Sequence, residues 1–300
     1  MLRAAIGTAA GWWSAAALQR HLSAQSTQPA TQPQFSNARY KIAVCDWMLN
    51  KRQKLGAISW AKRCGMDGVE VDMGGIGNRP LPDNKLRDPA VRQQFLDESR
   101  KLGVEICSIA LSGFYGQSWS KNSNGDAITE DWIETMRGMG AKAGFLPLLG
   151  AGDIAKDEEN RKLAIERFKR VAPKAEQAGV TMGIETMLDV EQSKRFLDEV
   201  GSPAVRLYYN LGLGIERGGD IYQEIRQLGK DLICMIHAKE EDGHWLGEPG
   251  GHIDLPKLKS ALDDIGWSGW LVIERSRHDP KKIEENYSTN AKNMKAVFQA

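Results

Sequence analysis

The chain has 300 residues, 41% hydrophobic and 26% charged, with a formal net charge of +1. That composition belongs to a globular protein with core enough for one or two domains. A near-neutral balance, with no basic block interleaved with aromatics, excludes nucleic acid as the expected partner.

Residues 1–36 differ from the rest. Arg3 precedes a weakly apolar stretch rich in Ala, Gly and Trp from Ala4 to Leu18, Leu22-Ser23-Ala24 offers small residues for cleavage, and Gln25 to Gln34 is Gln/Thr/Pro-rich. This reads as a secretory signal peptide followed by a flexible leader. Export to the periplasm or medium is the expectation; an amphiphilic N-terminal helix on a cytoplasmic protein is the alternative. The apolar part is too short and too broken by glycine to make a stable membrane anchor. Met1-Leu2-Arg3-Ala4-Ala5 resembles the end of a twin-arginine export signal but lacks the arginine pair. Cys45, Cys64, Cys107 and Cys234 show no C-x-x-C spacing and read as buried free thiols.

From residue 37 to 300 one unit recurs: a short β-rich run, a loop, an amphipathic helix, then a glycine that restarts the next strand. The junctions include Cys64-Gly65-Met66, Leu102-Gly103-Val104, Ala143-Gly144-Phe145, Ala178-Gly179-Val180 and Ile265-Gly266-Trp267. Glycine just past a helix takes the left-handed conformation that ends it. Strands are expected near 40–46, 68–72, 104–111, 145–150, 180–185, 205–210, 232–238 and 270–274. Helices are expected near 54–64, 89–102, 128–142, 157–178, 190–200, 219–228, 255–265 and 281–298. In 157–178, Leu163, Ile165, Phe168, Val171 and Ala175 share one face. Asp254-Leu255-Pro256 is a good helix start, with a cap followed by an early proline. Eight such units in about 260 residues predict a (β/α)8 TIM barrel. A doubly wound sheet would need a phosphate-binding turn opening a helix. The one candidate, Met73-Gly74-Gly75-Ile76-Gly77, runs into Asn78-Arg79-Pro80-Leu81-Pro82 instead.

Leu232–Glu240 reads as a buried strand that ends in His237 and Lys239. Alternation puts Ile233 and Met235 on the side of His237 and Lys239. Three other strands end in a comparable way, at Glu185, Asn210 and Glu274. In a barrel these ends meet at one mouth, where catalytic residues sit. Two carboxylates, an imidazole and an amide suit one divalent cation such as Mn²⁺, Mg²⁺, Co²⁺ or Zn²⁺. The plain alternative is a pair of exposed carboxylates and a satisfied core histidine.

With these residues in place the chain resembles the sugar phosphate isomerase/epimerase group of the xylose isomerase-like TIM barrels. The resemblance is carried by Gly183-Ile184-Glu185, Tyr208-Tyr209-Asn210-Leu211-Gly212, Ile236-His237-Ala238-Lys239-Glu240 and Leu246-Gly247-Glu248-Pro249-Gly250. His252-Ile253-Asp254-Leu255-Pro256 and Gly266–Glu274 complete it. It implies that Glu185, Asn210, His237 and Glu274 bind one divalent metal and that Glu185 and Glu274 also move protons as acid and base. The group usually carries Asp where this chain has Asn210, which removes one negative charge. Lys239 suits an oxyanion, with a surface lysine as the plain alternative; Glu70 suits a sugar hydroxyl; and Trp47, Phe114 and Trp119, in loops after the first and third strands, suit either the face of a sugar ring or plain core packing. Gly243–Gly251 is a candidate lid. The implied function is a metal-dependent sugar isomerase or epimerase, or a lyase using the same enolising chemistry, acting on a small carbohydrate. If the protein is exported, a free or 3-keto sugar is expected rather than a phosphorylated one. The alternative is a non-catalytic carbohydrate-binding barrel with a degenerate metal site. An endonuclease of the same superfamily would need a histidine-rich zinc site, and the chain has only His21, His237, His244, His252 and His278. A homo-oligomer is compatible with the composition but not demanded by it.

Overall fold

The computed structural model describes residues 34–240, 243–276 and 279–300; the expected signal peptide, and all but the end of the leader, lies outside the described residues. Eight parallel strands pair in sequence order and close on themselves: β1 Tyr40–Cys45, β2 Gly68–Asp72, β3 Glu105–Ala110, β4 Ala143–Pro147, β5 Thr181–Glu185, β6 Val205–Asn210, β7 Ile233–Lys239 and β8 Gly269–Arg275. Helices α1 Gly56–Arg63, α2 Pro89–Leu102, α3 Gly125–Met139, α4 Glu158–Ala178, α5 Val190–Val200, α6 Leu211–Glu216, α7 Ile221–Leu232, α8 Leu255–Asp264 and α9 Ile283–Phe298 surround them. This is the (β/α)8 TIM barrel that the alternation predicts. Among the described residues, no helix is long and apolar enough to cross a membrane.

Local chemistry sets the boundaries. Asp88, Asp157, Asp189, Asp220 and Asp254 each cap a helix by accepting backbone N–H bonds from its first turn, each cap worth about 1 kcal/mol. The strands are covered on both faces, so β2 and β4 are buried along their whole length, as parallel sheets require.

Beyond shifts of a few residues at element ends, two features differ from expectation. The junction Ala143-Gly144 is not a helix end: α3 stops at Met139 on left-handed Gly140 (φ 72°), and Gly144 lies inside β4. Gly144 is there for space, since a Cβ would fall 2.5 Å from the indole of Trp132. The sequence reading also lacks α6, a short helix whose first turn is capped by the side chain of Asn210.

Side chains divide into an outer cluster between strands and helices, including Ile42, Ile184, Ile236, Trp132 and Phe168, and an inner cluster of Cys45, Phe145, Tyr208, Met235 and Val272. The expected alternation in β7 fails at its start: Ile233 packs outward and Met235 inward. The register against β6 slips there, so that Leu207 faces Ile233 but Tyr208 faces Met235, leaving Cys234 as the extra residue. Similar shifts leave Cys107 extra opposite Glu70 and Glu274 extra opposite Lys239. Bulges of this kind re-aim side chains beside functional sites.

Candidate active site

The last residues of β5 and β6, with His237 of β7 and Glu274 of β8, point to the axis at the C-terminal mouth. All four are nearly or fully buried: Glu185 1%, Asn210 4%, His237 0% and Glu274 6% exposed. His237 Nδ1 lies 2.9 Å from Glu185 Oε2 and 3.9 Å from Glu274 Oε2. The Asn210 amide Nδ2 donates to the same two oxygens, at 2.7 Å to Glu185 and 3.0 Å to Glu274. Burial alone lowers the His237 pKa, but the Glu274 and Glu70 charges and the hydrogen bonds to Glu185 and Glu70 outweigh it and raise it from 6.5 to about 10. Burial, then the like charge of Glu185, pushes the Glu274 carboxyl up.

The outer oxygens of the two glutamates meet a residue that sequence reasoning missed. Tyr115 Oη lies 2.7 Å from Glu274 Oε1 and 2.9 Å from Glu185 Oε1. A phenol carries one proton, so both contacts are satisfied when Glu274 holds a second, in line with its raised pKa. Burial and the two carboxylates hold the Tyr115 hydroxyl protonated. Each glutamate therefore has an inner oxygen turned to His237 and Asn210, and an outer oxygen turned to a phenol.

The donor set fits a divalent cation at three positions. Ligand atoms of Glu185, His237 and Glu274 lie within 4.8 Å of one another, and two buried carboxylates side by side call for positive charge. Asn210 does not fit as placed. Its Oδ1 accepts from Leu213 N at 3.3 Å to cap α6, and an amide has only one acceptor oxygen. Its nitrogen faces the carboxylates, where a cation would repel it.

The remaining expected site residues separate. Glu70 does not reach a sugar hydroxyl: it is wholly buried below the mouth, bonded to Ser108, Tyr208 and His237 Nε2. It lies two residues before the end of β2, which runs to Asp72, so its carboxylate sits below the strand ends that form the mouth. Phe114 has no exposed surface and belongs to the outer core; its neighbour Tyr115 is the aromatic that turns to the mouth. Trp119 is likewise core, tilted against the Phe168 ring with its N–H on Thr129. Trp47 is half-buried above the inner cluster, with Phe145 beneath it and the Arg52 guanidinium 5.7 Å from its ring. Lys239 is half-buried and packs over Gly212, close enough to Glu274 for its charge to favour the carboxylate. The glycine-rich segment is pinned rather than loose. Leu246 bonds through its backbone to Asn290 and Asn293 of α9, and Glu240 accepts from the backbone of His252 and Ile253.

A second carboxylate pair, also missed, stands at the ends of β1 and β2. Asp46 Oδ2 accepts from the backbone N–H of Gln53 and Asp72. Asp72 accepts from the backbone of Gly74 and Ser112 and from Arg52 Nη1 at 2.9 Å.

Known proteins share this architecture. A crystal structure of D-psicose 3-epimerase in the presence of D-fructose superimposes with a TM-score of 0.70 at 13% identity, covering 87% of this chain and 100% of that one. The 3-keto-D-glucoside 4-epimerase of E. coli does so with a TM-score of 0.67 at 16% identity, covering 87% and 100%. By sequence, the inosose dehydratase of Erwinia tasmaniensis is 23% identical over 262 residues, 74% of this chain and 86% of the relative. The 2-epi-5-epi-valiolone 7-phosphate 2-epimerase of Actinoplanes sp. is 24% identical over 204 residues, 67% and 72% respectively. The family description for the xylose isomerase-like TIM barrel matches residues 58–297, from α1 to the last turn of α9. With the closed barrel and that span together, the chain belongs to the xylose isomerase-like TIM barrel family.

Proposed function

We propose that this protein is a divalent-metal-dependent enzyme that enolises a sugar or cyclitol next to a carbonyl, with epimerisation, isomerisation or loss of water as the outcome. The observation that carries this reading is the two-sidedness of the glutamate pair. Oε2 of each turns inward to His237, and Oε1 of each turns outward to a single hydroxyl, that of Tyr115. Glu185, His237 and Glu274 would hold the cation. A bound divalent ion lowers the cost of the negative charge that develops when a C–H beside a carbonyl loses its proton.

The chain's own groups then have defined tasks. One glutamate takes the proton from carbon and the other, protonated, returns a proton to the opposite face, which inverts that centre. In a dehydration the second glutamate instead protonates the departing hydroxyl, which leaves as water. Tyr115 marks where a substrate hydroxyl sits, because its phenol already bridges both carboxylates. Trp47 offers a ring face at the rim, and Lys239 offers charge to an oxyanion. The names of the relatives, dehydratase and epimerase, support this class of chemistry. The N-terminal sequence supports export, and with it a non-phosphorylated substrate.

The test is solvent exchange. Metal-loaded protein is incubated with ketohexoses, 3-keto sugars and keto-cyclitols in D₂O and read by NMR. Deuterium should enter beside the carbonyl of at least one substrate, and Glu185→Gln should abolish it. Sugar binding without exchange would favour the non-catalytic barrel, the reading that the engaged Asn210 amide supports.

A further inference from the structure

We infer that Glu70 is a positioning residue for His237: from beneath the mouth it holds the imidazole by Nε2–H, and so turns Nδ1 toward Glu185 and Glu274. The inference rests on the metal-site reading above and extends it to a residue with no access to substrate.

The Glu70 carboxylate is wholly buried, and groups from four strands besides its own converge on it. Ser108 of β3 and Tyr208 of β6 both donate hydroxyls to Oε2, the latter at 2.9 Å. The Cys45 thiol of β1 donates to Oε1 at 3.4 Å, and His237 Nε2 of β7 lies 3.1 Å from the same oxygen. An ionised carboxylate only accepts. Three of its four partners bring a proton of their own, so the carboxylate stays an acceptor and Nε2 must be the donor. A cation that displaces the proton on Nδ1 takes up its lone pair while Nε2–H stays on Glu70; an imidazole held the other way round could not present Nδ1 to it. Partners of this kind typically change metal affinity 10–100-fold when removed.

The backbone is shaped to deliver these groups. The register shift that leaves Cys107 unpaired sets Ser108 opposite Glu70. The shift that leaves Cys234 unpaired brings His237 opposite Asn210 and Tyr208 opposite Met235. Without them, regular alternation would carry neighbouring residues to these places. Both shifts thus serve the buried carboxylate or its imidazole.

The test compares wild type with Glu70→Gln. The amide keeps the size but loses the charge, and one of its two faces is a donor. Mn²⁺ affinity, by competition with a chelator, should fall 10–100-fold. In the metal-free proteins, ¹⁵N-edited NMR should show a protected, downfield Nε2–H proton of His237 in wild type, assigned by its absence from His237→Asn. In Glu70→Gln that signal should shift or disappear. Ser108→Ala removes one hydroxyl and leaves the charge, and should lose Mn²⁺ affinity only a few-fold. It carries the test should Glu70→Gln fail to fold: unchanged affinity together with an unmoved Nε2–H signal in Ser108→Ala would then overturn the inference. Unchanged affinity and signal in a folded Glu70→Gln would overturn it directly. If wild type binds no Mn²⁺, Co²⁺ or Zn²⁺, the metal reading fails on its own, and the NMR arm still decides whether Glu70 holds His237.

Discussion

Two pairs of buried carboxylates stand at the same mouth, Asp46 with Asp72 above β1 and β2, and Glu185 with Glu274 above β5 and β8. The aspartate pair is held largely by backbone N–H groups, from Gln53, Asp72, Gly74 and Ser112, plus the Arg52 guanidinium. Among the described residues, the hydrogen bonds to the glutamate pair's carboxylates come from side chains, those of Tyr115, Asn210 and His237. Backbone donors cannot leave without unfolding a loop, whereas side-chain donors can rotate away and be replaced by a cation or a substrate hydroxyl. Carboxylates of the first kind tie loops together; under the proposed function, those of the second kind are held ready for a ligand.

The largest effect is expected for Glu274→Gln. Loss of a positioned acid–base group costs about 10²–10⁴-fold in turnover, and Mn²⁺ affinity should fall with it. Because burial and the Glu185 charge raise the Glu274 pKa, its ionised form opposes folding. The metal-free variant should therefore unfold at higher urea than wild type near neutral pH, a trade of stability for function. A variant both inactive and less stable would place Glu274 with the structural pair.

Removing a structural carboxylate should do the reverse. Asp72→Ala strands the N–H groups of Gly74 and Ser112 and the Arg52 guanidinium. The backbone groups dominate the cost, since Arg52 is 43% exposed and its ion pair is screened. A loss of about 2–3 kcal/mol in urea unfolding is expected, with less effect on turnover than Glu274→Gln.

The contrast also explains what was legible in the sequence. Strand ends announce themselves, because an apolar run that stops at Glu185, Asn210 or Glu274 in a repeating βα unit leaves little choice of side. Tyr115 is invisible by that rule: it sits in a short 3₁₀ turn after β3, where no periodicity says which of Phe114 and Tyr115 faces the site. Glu70 was misplaced because its true neighbours, Ser108 and Tyr208, are set by register shifts that leave no mark in the alternation. The capping role of Asn210 was hidden for a related reason, since α6 has only six residues. Backbone-held Asp46 and Asp72 resemble ordinary loop acids until the loops fold around them.

Asn210→Asp tests how far the glutamate pair relies on exchangeable partners. Aspartate has a second acceptor oxygen, so one can cap α6 while the other faces the cation. The added charge at about 4 Å is worth roughly 4 kcal/mol at an effective dielectric of 20. Crowding and desolvation beside two carboxylates offset most of it. A net gain near tenfold in Mn²⁺ affinity, about 1.4 kcal/mol, is expected from chelator competition. Metal-free Asn210→Asp should be less stable than wild type, having lost the amide that quiets both glutamates. Affinity unchanged from wild type would mean that position 210 does not face the cation.

The smallest effect concerns Asp46, and it depends on pH. Burial, then the Asp72 charge, pushes its carboxyl well above the ordinary 3.8, and the N–H bonds from Gln53 and Asp72 only partly offset this. A group whose folded pKa is raised contributes fully below its unfolded value and progressively less as pH climbs toward the folded one. Wild-type stability should therefore carry an Asp46 contribution that declines from about pH 4 upward. Asp72 and Glu274 tilt the same way, so the contribution is isolated only by difference. Asp46→Asn supplies that difference, because the amide oxygen can still accept from Gln53 and Asp72. The opposite oxygen, Oδ1, has no partner among the described residues. Protonated acid and amide alike put a hydrogen there, so the two proteins should match near pH 4. By pH 8 the variant should be the more stable of the two, because it never carries the charge that burial and Asp72 oppose. Urea unfolding across that range reads the two curves; if they run parallel, Asp46 titrates alike in the folded and unfolded chains and the like-charge cost assigned to the structural pair is absent.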